Sequence, residues 1–395
     1  MHHPIVRRLG TAGWGRRAGT ILPQVPDSIS QQPGDRPSLS VAESMGQLDW
    51  EWTPLGPRAG WPPLLDAVVR LVQASRFSMW MGWGADLAFF YNDAYREATL
   101  GVKHPWALGR PAREVWEEIW DDIGPRLDHV LRGNTTWDEA LLLFLERSGY
   151  REETYHTFSY SPITETDGSV AGVLCVVTEE TDRVIGERRL STLRQLASEL
   201  SQTRDEDQVY AAIRSELAKN PYDLPYALIY TFDGTAAPRL ACAANVEPGS
   251  SMAPEVLDGT AARTWPVNRL LATNRTVVID DVLERFGDVP TGAWNVPTTT
   301  AVMVPLSRQG QAAPAGFLVA GANPYRSLDE DSIAFFGLLA GQIGASVANA
   351  RAYESERRRA QALADLDRAK TEFFSNVSRS SARRSPSSSG RPRMR

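Results

Sequence analysis

The stretch Phe77-Ser78-Met79-Trp80-Met81-Gly82-Trp83-Gly84-Ala85-Asp86-Leu87-Ala88-Phe89-Phe90-Tyr91-Asn92-Asp93-Ala94-Tyr95 decides how the first half of this chain folds. Two apolar runs, 77–83 and 87–91, flank Gly84-Ala85-Asp86 in a hairpin pattern. Asn92 then stands where a helix N-cap belongs, ahead of a short helix over 94–100. Farther on, residues 114–131 carry Val115, Ile119, Ile123, Leu127, Val130 and Leu131 at helical spacing, with Pro125 expected to interrupt them. Three longer strands are predicted over 136–146, 152–161 and 170–177, the last pair separated by the turn signal Asp167-Gly168. Two strands, helices and three antiparallel strands make one α+β domain.

A second domain of mixed strands and helices is expected over 205–349. A helix over 207–219 leads past Pro221 and Pro225 to strands at 227–232, 239–244, 275–280, 301–306 and 316–321, and a closing helix starts near Leu328. Between the domains, Leu190, Leu193, Ala197 and Leu200 are spaced three, four and three apart, the a/d seam of a short coiled coil or one face of an ordinary packed helix. After the second domain, Leu363, Leu366, Phe373 and Val377 keep a heptad phase with Lys370 at an a position. Ile343, Val347 and Ala350 upstream follow another phase, and the charged block 354–359 between them has the pattern of a phase slip.

Several phrases resemble known sensory families. Phe90-Tyr91-Asn92-Asp93-Ala94-Tyr95, Leu108-Gly109-Arg110-Pro111, Trp120-Asp121-Asp122-Ile123-Gly124-Pro125 and Tyr155-His156-Thr157-Phe158-Ser159-Tyr160-Ser161-Pro162 resemble PAS domains, with Thr181-Asp182-Arg183 at the exit to an output helix. The segment 315–324, followed by Gly341-Gln342-Ile343-Gly344 and 348–354, resembles a GAF domain running into a signalling helix. Leu366-Asp367-Arg368-Ala369-Lys370-Thr371-Glu372-Phe373-Phe374-Ser375-Asn376-Val377-Ser378 resembles the opening of the dimerisation helix of sensor histidine kinases, which continues Ser-His-Glu-Phe-Arg-Thr-Pro-Leu. Arg379 occupies the phosphoacceptor position, and an always-protonated guanidinium has no lone pair with which to attack ATP. Codons for Glu-Phe-Arg-Thr-Pro-Leu-Thr-Leu, read one base late, yield Ser380-Ser381-Ala382-Arg383-Arg384-Ser385-Pro386-Ser387, so a frameshifted kinase gene is the expectation for 379–395.

The resemblance implies two antiparallel-sheet sensory domains, PAS-like over 46–182 and GAF-like over 205–349. A linker coil over 183–204 joins them, and a signalling helix over 350–378 follows. Residues 1–45 and 379–395 are rich in Gly, Pro, Ser or Arg, and are expected to be disordered. It further implies a cytoplasmic homodimer of two-component type that is inactive as a kinase, with a response regulator as partner only in a full-length form. The alternative is a stand-alone small-molecule-binding and dimerisation module.

Composition narrows the classes. The 395 residues hold 42% hydrophobic and 23% charged residues with a net charge of −6, which argues against a nucleic-acid binder. No uninterrupted apolar stretch of membrane-crossing length is evident, and no membrane partner is expected. Cys175 and Cys242 lie far apart in apolar runs, as core residues do, against both a metal site and a thiol reductase. No phosphate loop or ATP lid occurs, so no cofactor is identifiable. A small molecule in a PAS or GAF pocket is the open possibility. Trp83, Trp116, Trp120, Phe144, Tyr155 and Phe158 fit either a PAS pocket lining or an ordinary core. Asp280 and Asp281 close a strand beside the GAF pocket, but two carboxylates alone repel phosphate.

Overall fold

The computed structural model describes residues 39–232, 237–258, 264–307 and 313–382. In the first domain α1 (Val41–Gln47) and α2 (Pro63–Ala74) precede the hairpin β1 (Met79–Trp83) and β2 (Ala88–Tyr91). Then come α3 (Asp93–Tyr95), a π-helical turn (Arg96–Leu100), α4 (Ala112–Val115), α5 (Trp120–Leu131) and the long strands β3 (Thr136–Leu145), β4 (Glu152–Thr164) and β5 (Val170–Glu179). The sheet runs β2-β1-β5-β4-β3, antiparallel throughout. Asn92 caps α3 as expected: its Oδ1 accepts from Tyr95 N at 3.0 Å while its Nδ2 donates to Phe77 O at 2.7 Å, so one amide fixes both the helix start and the strand that precedes it.

Helix α6 (Thr181–Leu200) leads to the second domain: α7 (Glu206–Ala218), β6 (Ala227–Thr231), β7 (Arg239–Ala244), α8 (Val267–Thr273), β8 (Val277–Ile279), α9 (Val282–Phe286), β9 (Ala301–Pro305), β10 (Gly316–Gly321) and α10 (Glu330–Ala382). Its antiparallel sheet runs β7-β6-β10-β9-β8. Both faces are covered, which is why β6 and β10 are buried along their whole length. Leu196, Leu200 and residues of α7 and α10 pack on one face; Trp265, Phe286 and the α8–α9 region pack on the other. Two antiparallel sheets followed by a long helix make the α+β architecture expected from sequence.

Four expectations need correction. Helix α1 forms inside the segment expected to be disordered, because Val41 and Met45 are buried in the first core and Trp50 just beyond stacks on Phe90 at 5.3 Å. Residues 1–38 of that segment lie outside the described residues. The break in the 114–131 helix falls at Trp116, the C-cap of α4, whereas α5 runs on through Pro125 in its interior. At the far end the α10 backbone continues through Ser380 and Ala382; residues 383–395 and the side chain of Arg379 lie outside the described residues. Finally, α10 does hold a stretch, 333–350, without charged residues, and the helix Glu330–Phe373 is long and apolar enough to cross a membrane, although 44% of its apolar window is buried. Those buried residues, among them Phe335, Leu339 and Ile343, belong to the second core.

Candidate functional site

The first core is not solid. Between the sheet and the α3–α5 region lies a cavity of about 30 Å³, walled by Trp80, Tyr95, Trp116, Phe158, Tyr160 and aliphatic neighbours, with Thr99 and His156 among its lining residues. That volume suits one water, far below the roughly 150 Å³ at which an apolar cavity takes up benzene. Two buried polar atoms at this cavity have no protein partner, Thr99 Oγ1 and His156 Nδ1. The hydrogen-bond chain behind His156 fixes its tautomer. Thr154 Oγ1 donates to Leu143 O at 2.7 Å, so at 3.1 Å it must accept from His156 Nε2–H. Nδ1 is therefore left as a bare acceptor. Burial holds the imidazole down to about 4, neutral at pH 7.

Of the six aromatics expected at this pocket, Trp116 and Phe158 line it. Trp83 is buried at the hairpin end of β1, paired with Ala88 and Gly172 in backbone register, away from the cavity. Trp120 begins α5 under the guanidinium of Arg113, 5.8 Å from its ring. Phe144 and Tyr155 face the other way, because strand neighbours alternate faces: Leu143 and Leu145 on β3, and His156 and Phe158 on β4, point inward. Tyr155 and Phe158 are three residues apart and could not have shared a face in a regular strand. The same period, counted from Phe158, would have found His156 and Tyr160.

A single arginine ties the cavity to the output helix. Arg147, just after β3, forms a bidentate pair with Glu179 at the end of β5 (2.6 and 2.7 Å), donates to Ala98 O at 2.5 Å and reaches Glu152 Oε2 at 3.2 Å. Ala98 belongs to the π-helical turn that carries Thr99. Burial works against the Glu179 carboxylate, but Arg147 outweighs it and holds the pKa below the usual range. Thr181, the first residue of α6, donates to Glu179 Oε1 at 2.9 Å and accepts from Tyr155 N at 3.0 Å. Gly101 makes the close approach possible: a Cβ there would stand 2.3 Å from Arg147 O, and its φ is +59°.

The outward side chains of β3 and β4 meet the second domain. Phe144 packs with Tyr325 and Trp294, ring centroids 4.6 and 5.7 Å away, and Tyr222 adds to the cluster at 5.0 Å from Trp294. Beside it Arg188 of α6 joins Glu153 (2.7 Å) to Asp223 (2.7 Å), both carboxylates fully buried, and Asn323 Nδ2 donates to Glu153 Oε2 at 2.5 Å. Tyr155 Oη donates to the same carboxylate at 2.9 Å. Strand β4 thus carries the cavity histidine on one face and the interdomain ion pair on the other.

In the second domain, described residues pack ring on ring over the sheet face away from α6. Tyr230 stacks on Phe317 at 5.3 Å, Trp265 lies 4.6 Å from Phe286, and Trp265 Nε1 donates to Met252 O at 2.7 Å. Asp281 pairs with Arg285 at 2.7 Å. Cys242 is buried, its thiol pushed up to about 11, and Cys175 is buried in the first core, so neither is a ready nucleophile. Among the described residues no cluster of His, Cys, Asp and Glu is arranged to hold a metal. Of the expected coil contacts on α6, Leu200 is in the second core and Leu193 packs against it, while Leu190 and Ala197 are exposed. On α10, Leu363, Leu366 and Phe373 are exposed, and the side chain of Val377 lies outside the described residues.

Residues 88–185 match the PAS fold family and residues 203–348 the GAF domain family, so the chain carries a PAS domain followed by a GAF domain. Solved structures with a similar fold include the GAF domain of an Acinetobacter phosphoenolpyruvate-protein phosphotransferase (18% identity, 41% of this chain and 94% of that chain, TM-score 0.33). Others are the Stigmatella aurantiaca phytochrome photosensory core module (14%, 72% and 60%, 0.34) and a sensory box sensor histidine kinase from Vibrio cholerae (18%, 29% and 89%, 0.22). At these identities the likenesses bear on neither ligand nor activity. No curated protein matches the chain.

Proposed function

We propose that this chain is the sensory and signal-transmitting part of a cytoplasmic, dimeric two-component sensor of the histidine kinase type, without phosphotransfer chemistry of its own. The observation that carries the sensory half is the cavity with two orphaned polar atoms wired through Arg147 to the start of α6. A guest that donates a hydrogen bond to His156 Nδ1 and meets Thr99 Oγ1 would shift the π-helical turn, and Ala98, Arg147 and Glu179 would pass that shift to α6. The ligand discriminates between two packings of the helices by its different affinity for them, which is the only way it can bias their populations. The transmitter half rests on the resemblance of 366–378 to a kinase dimerisation helix and on Arg379 at the phosphoacceptor position.

The test is a hybrid in which residues 1–378 precede the phosphoacceptor and ATP-binding parts of a sensor kinase. Autophosphorylation of the hybrid should change at least about threefold when Arg147→Ala cuts the link, a shift of under 1 kcal/mol in the population balance. An unchanged rate in a folded variant would remove the relay. Phosphate incorporation into the 395-residue chain alone would contradict the absence of catalysis.

A further inference from the structure

Where the first domain hands over to α6 there is a cleft of about 760 Å³, bounded by the π-helical turn, the β3–β4 turn, the end of β5 and the first turn of α6, with Arg326 of the second domain among its walls. It is separate from the water-sized PAS cavity, with which it shares no lining residue. Five carboxylates and three guanidinium groups line it, a net charge of −2. Most of these are matched. Arg147 is spent on Glu179, Glu152 Oε2 and Ala98 O, Glu97 pairs with Arg96 at 2.8 Å, and Arg183 pairs with Glu180. Two are not. The Glu152 side chain is only 6% exposed, yet its Oε1 has no hydrogen-bond partner, a costly state for a buried carboxylate oxygen. The Arg326 guanidinium stands 3.8 Å from Asp182 and 4.0 Å from Asp329, too far for a hydrogen bond to either. Beside it α6 starts without a cap, since Glu180 at the N-cap makes no side-chain hydrogen bond to the first turn.

We propose that this cleft binds a small organic zwitterion, an ammonium group and a carboxylate joined by a short flexible chain. The ammonium donates to Glu152 Oε1, and the carboxylate lies between Arg326 and the first turn of α6. This is a second ligand site, and it does not depend on a guest entering the PAS cavity. Three features select the ligand. The unmatched oxygen belongs to a buried carboxylate in a cleft of net negative charge, so its partner is a cationic donor, and a compact ammonium with three N–H groups serves one free oxygen and its neighbours. A bare metal ion fits poorly, because among the described residues no His, Cys, Asp or Glu cluster is arranged to hold one. At the other end an uncapped start of a 20-residue helix and a loosely paired guanidinium both favour an anion, which an amine alone would leave unused. The spacing suits a short chain: one guanidinium, that of Arg147, reaches both Glu152 and Glu179, and Thr181 at the start of α6 bonds to Glu179 at 2.9 Å. Because Oε1 is shielded from bulk water, the ammonium is the deeper end.

The experiment is calorimetric titration of the full chain with three probes of equal length: 5-aminovalerate, n-pentylamine and valerate. Only the first carries both charges. It should bind at least about tenfold tighter than either singly charged probe, since each end adds a charge-assisted hydrogen bond. The PAS cavity, at about 30 Å³, is too small for any of the three and cannot account for the heat. Glu152→Gln, which keeps the side-chain volume and still accepts from Arg147, should weaken 5-aminovalerate at least about tenfold. Arg326→Gln should erase its advantage over pentylamine while leaving pentylamine binding as it is in wild type. No binding of 5-aminovalerate at millimolar concentration, pentylamine binding as tightly as 5-aminovalerate, or a Glu152→Gln chain that binds like wild type would overturn the site. None of these outcomes bears on the link from the PAS cavity to α6, which the Arg147→Ala hybrid tests separately.

Discussion

The two domains answer the same packing problem differently. In the GAF core the described rings stack on one another, and Tyr226 Oη is buried there without a partner, packed so closely that a Cβ at Gly321 would stand 2.6 Å from the tyrosine ring. The PAS core holds an equally aromatic set but keeps a water-sized opening bordered by Thr99 and His156. An unsatisfied polar group in a filled core is a stability defect, whereas one that borders an opening can be met by a guest. Among the described residues the PAS half carries the water-sized opening, and the GAF half carries the core on which α6 and α10 pack.

The largest test concerns what joins the halves. Arg188→Ala leaves Glu153 buried without its cation and Asp223 with only Arg189 at 3.5 Å, and should lower stability by about 3–5 kcal/mol, splitting a single urea transition into two as the domains part. One undivided transition of unchanged midpoint would break the picture of a welded pair.

Next comes acid. His156 has a folded pKa of about 4 against the usual 6.5, so between those values the unfolded chain binds the extra proton and stability rises with pH. The contribution is fully present above pH 6.5 and is lost on acidification toward pH 4, about 3 kcal/mol in all. His156→Gln should flatten that part of the pH dependence of the urea midpoint; the GAF domain has no such buried imidazole, and an equally steep dependence in the variant would refute the assignment.

The smallest effect separates the two kinds of orphan. Tyr226→Phe should stabilise the chain by about 1–2 kcal/mol, because a buried hydroxyl without a partner is removed from a filled core. Thr99→Val should gain close to nothing, since water reaching the cavity already meets the hydroxyl. Equal gains from both would mean that the PAS opening is dry.

Much of this was legible in the chain. Hairpin and cap were readable from Gly84-Ala85-Asp86 and Asn92 because turn and cap chemistry is local. The strands of the second sheet were readable as apolar runs bounded by Gly and Pro. The pocket was half legible: Trp116 and Phe158 were placed, while Phe144 and Tyr155 went to the domain interface, since aromatic content says nothing about which face a side chain takes. Thr99 and His156 gave no composition signal. Arg147, Glu153 and Arg188 act through partners up to 170 residues away, as in the Asn323–Glu153 bond, a distance over which sequence pattern carries no information.

The central claim is that a change inside the PAS cavity reaches α6. Hydrogen–deuterium exchange of Thr181–Leu200 in Thr99→Ile, which fills the cavity, and in Tyr226→Phe, which alters the GAF core, tests it most directly. Altered protection in the first turns of α6 for Thr99→Ile alone is the expected result; an α6 that exchanges identically in wild type and in Thr99→Ile would contradict it.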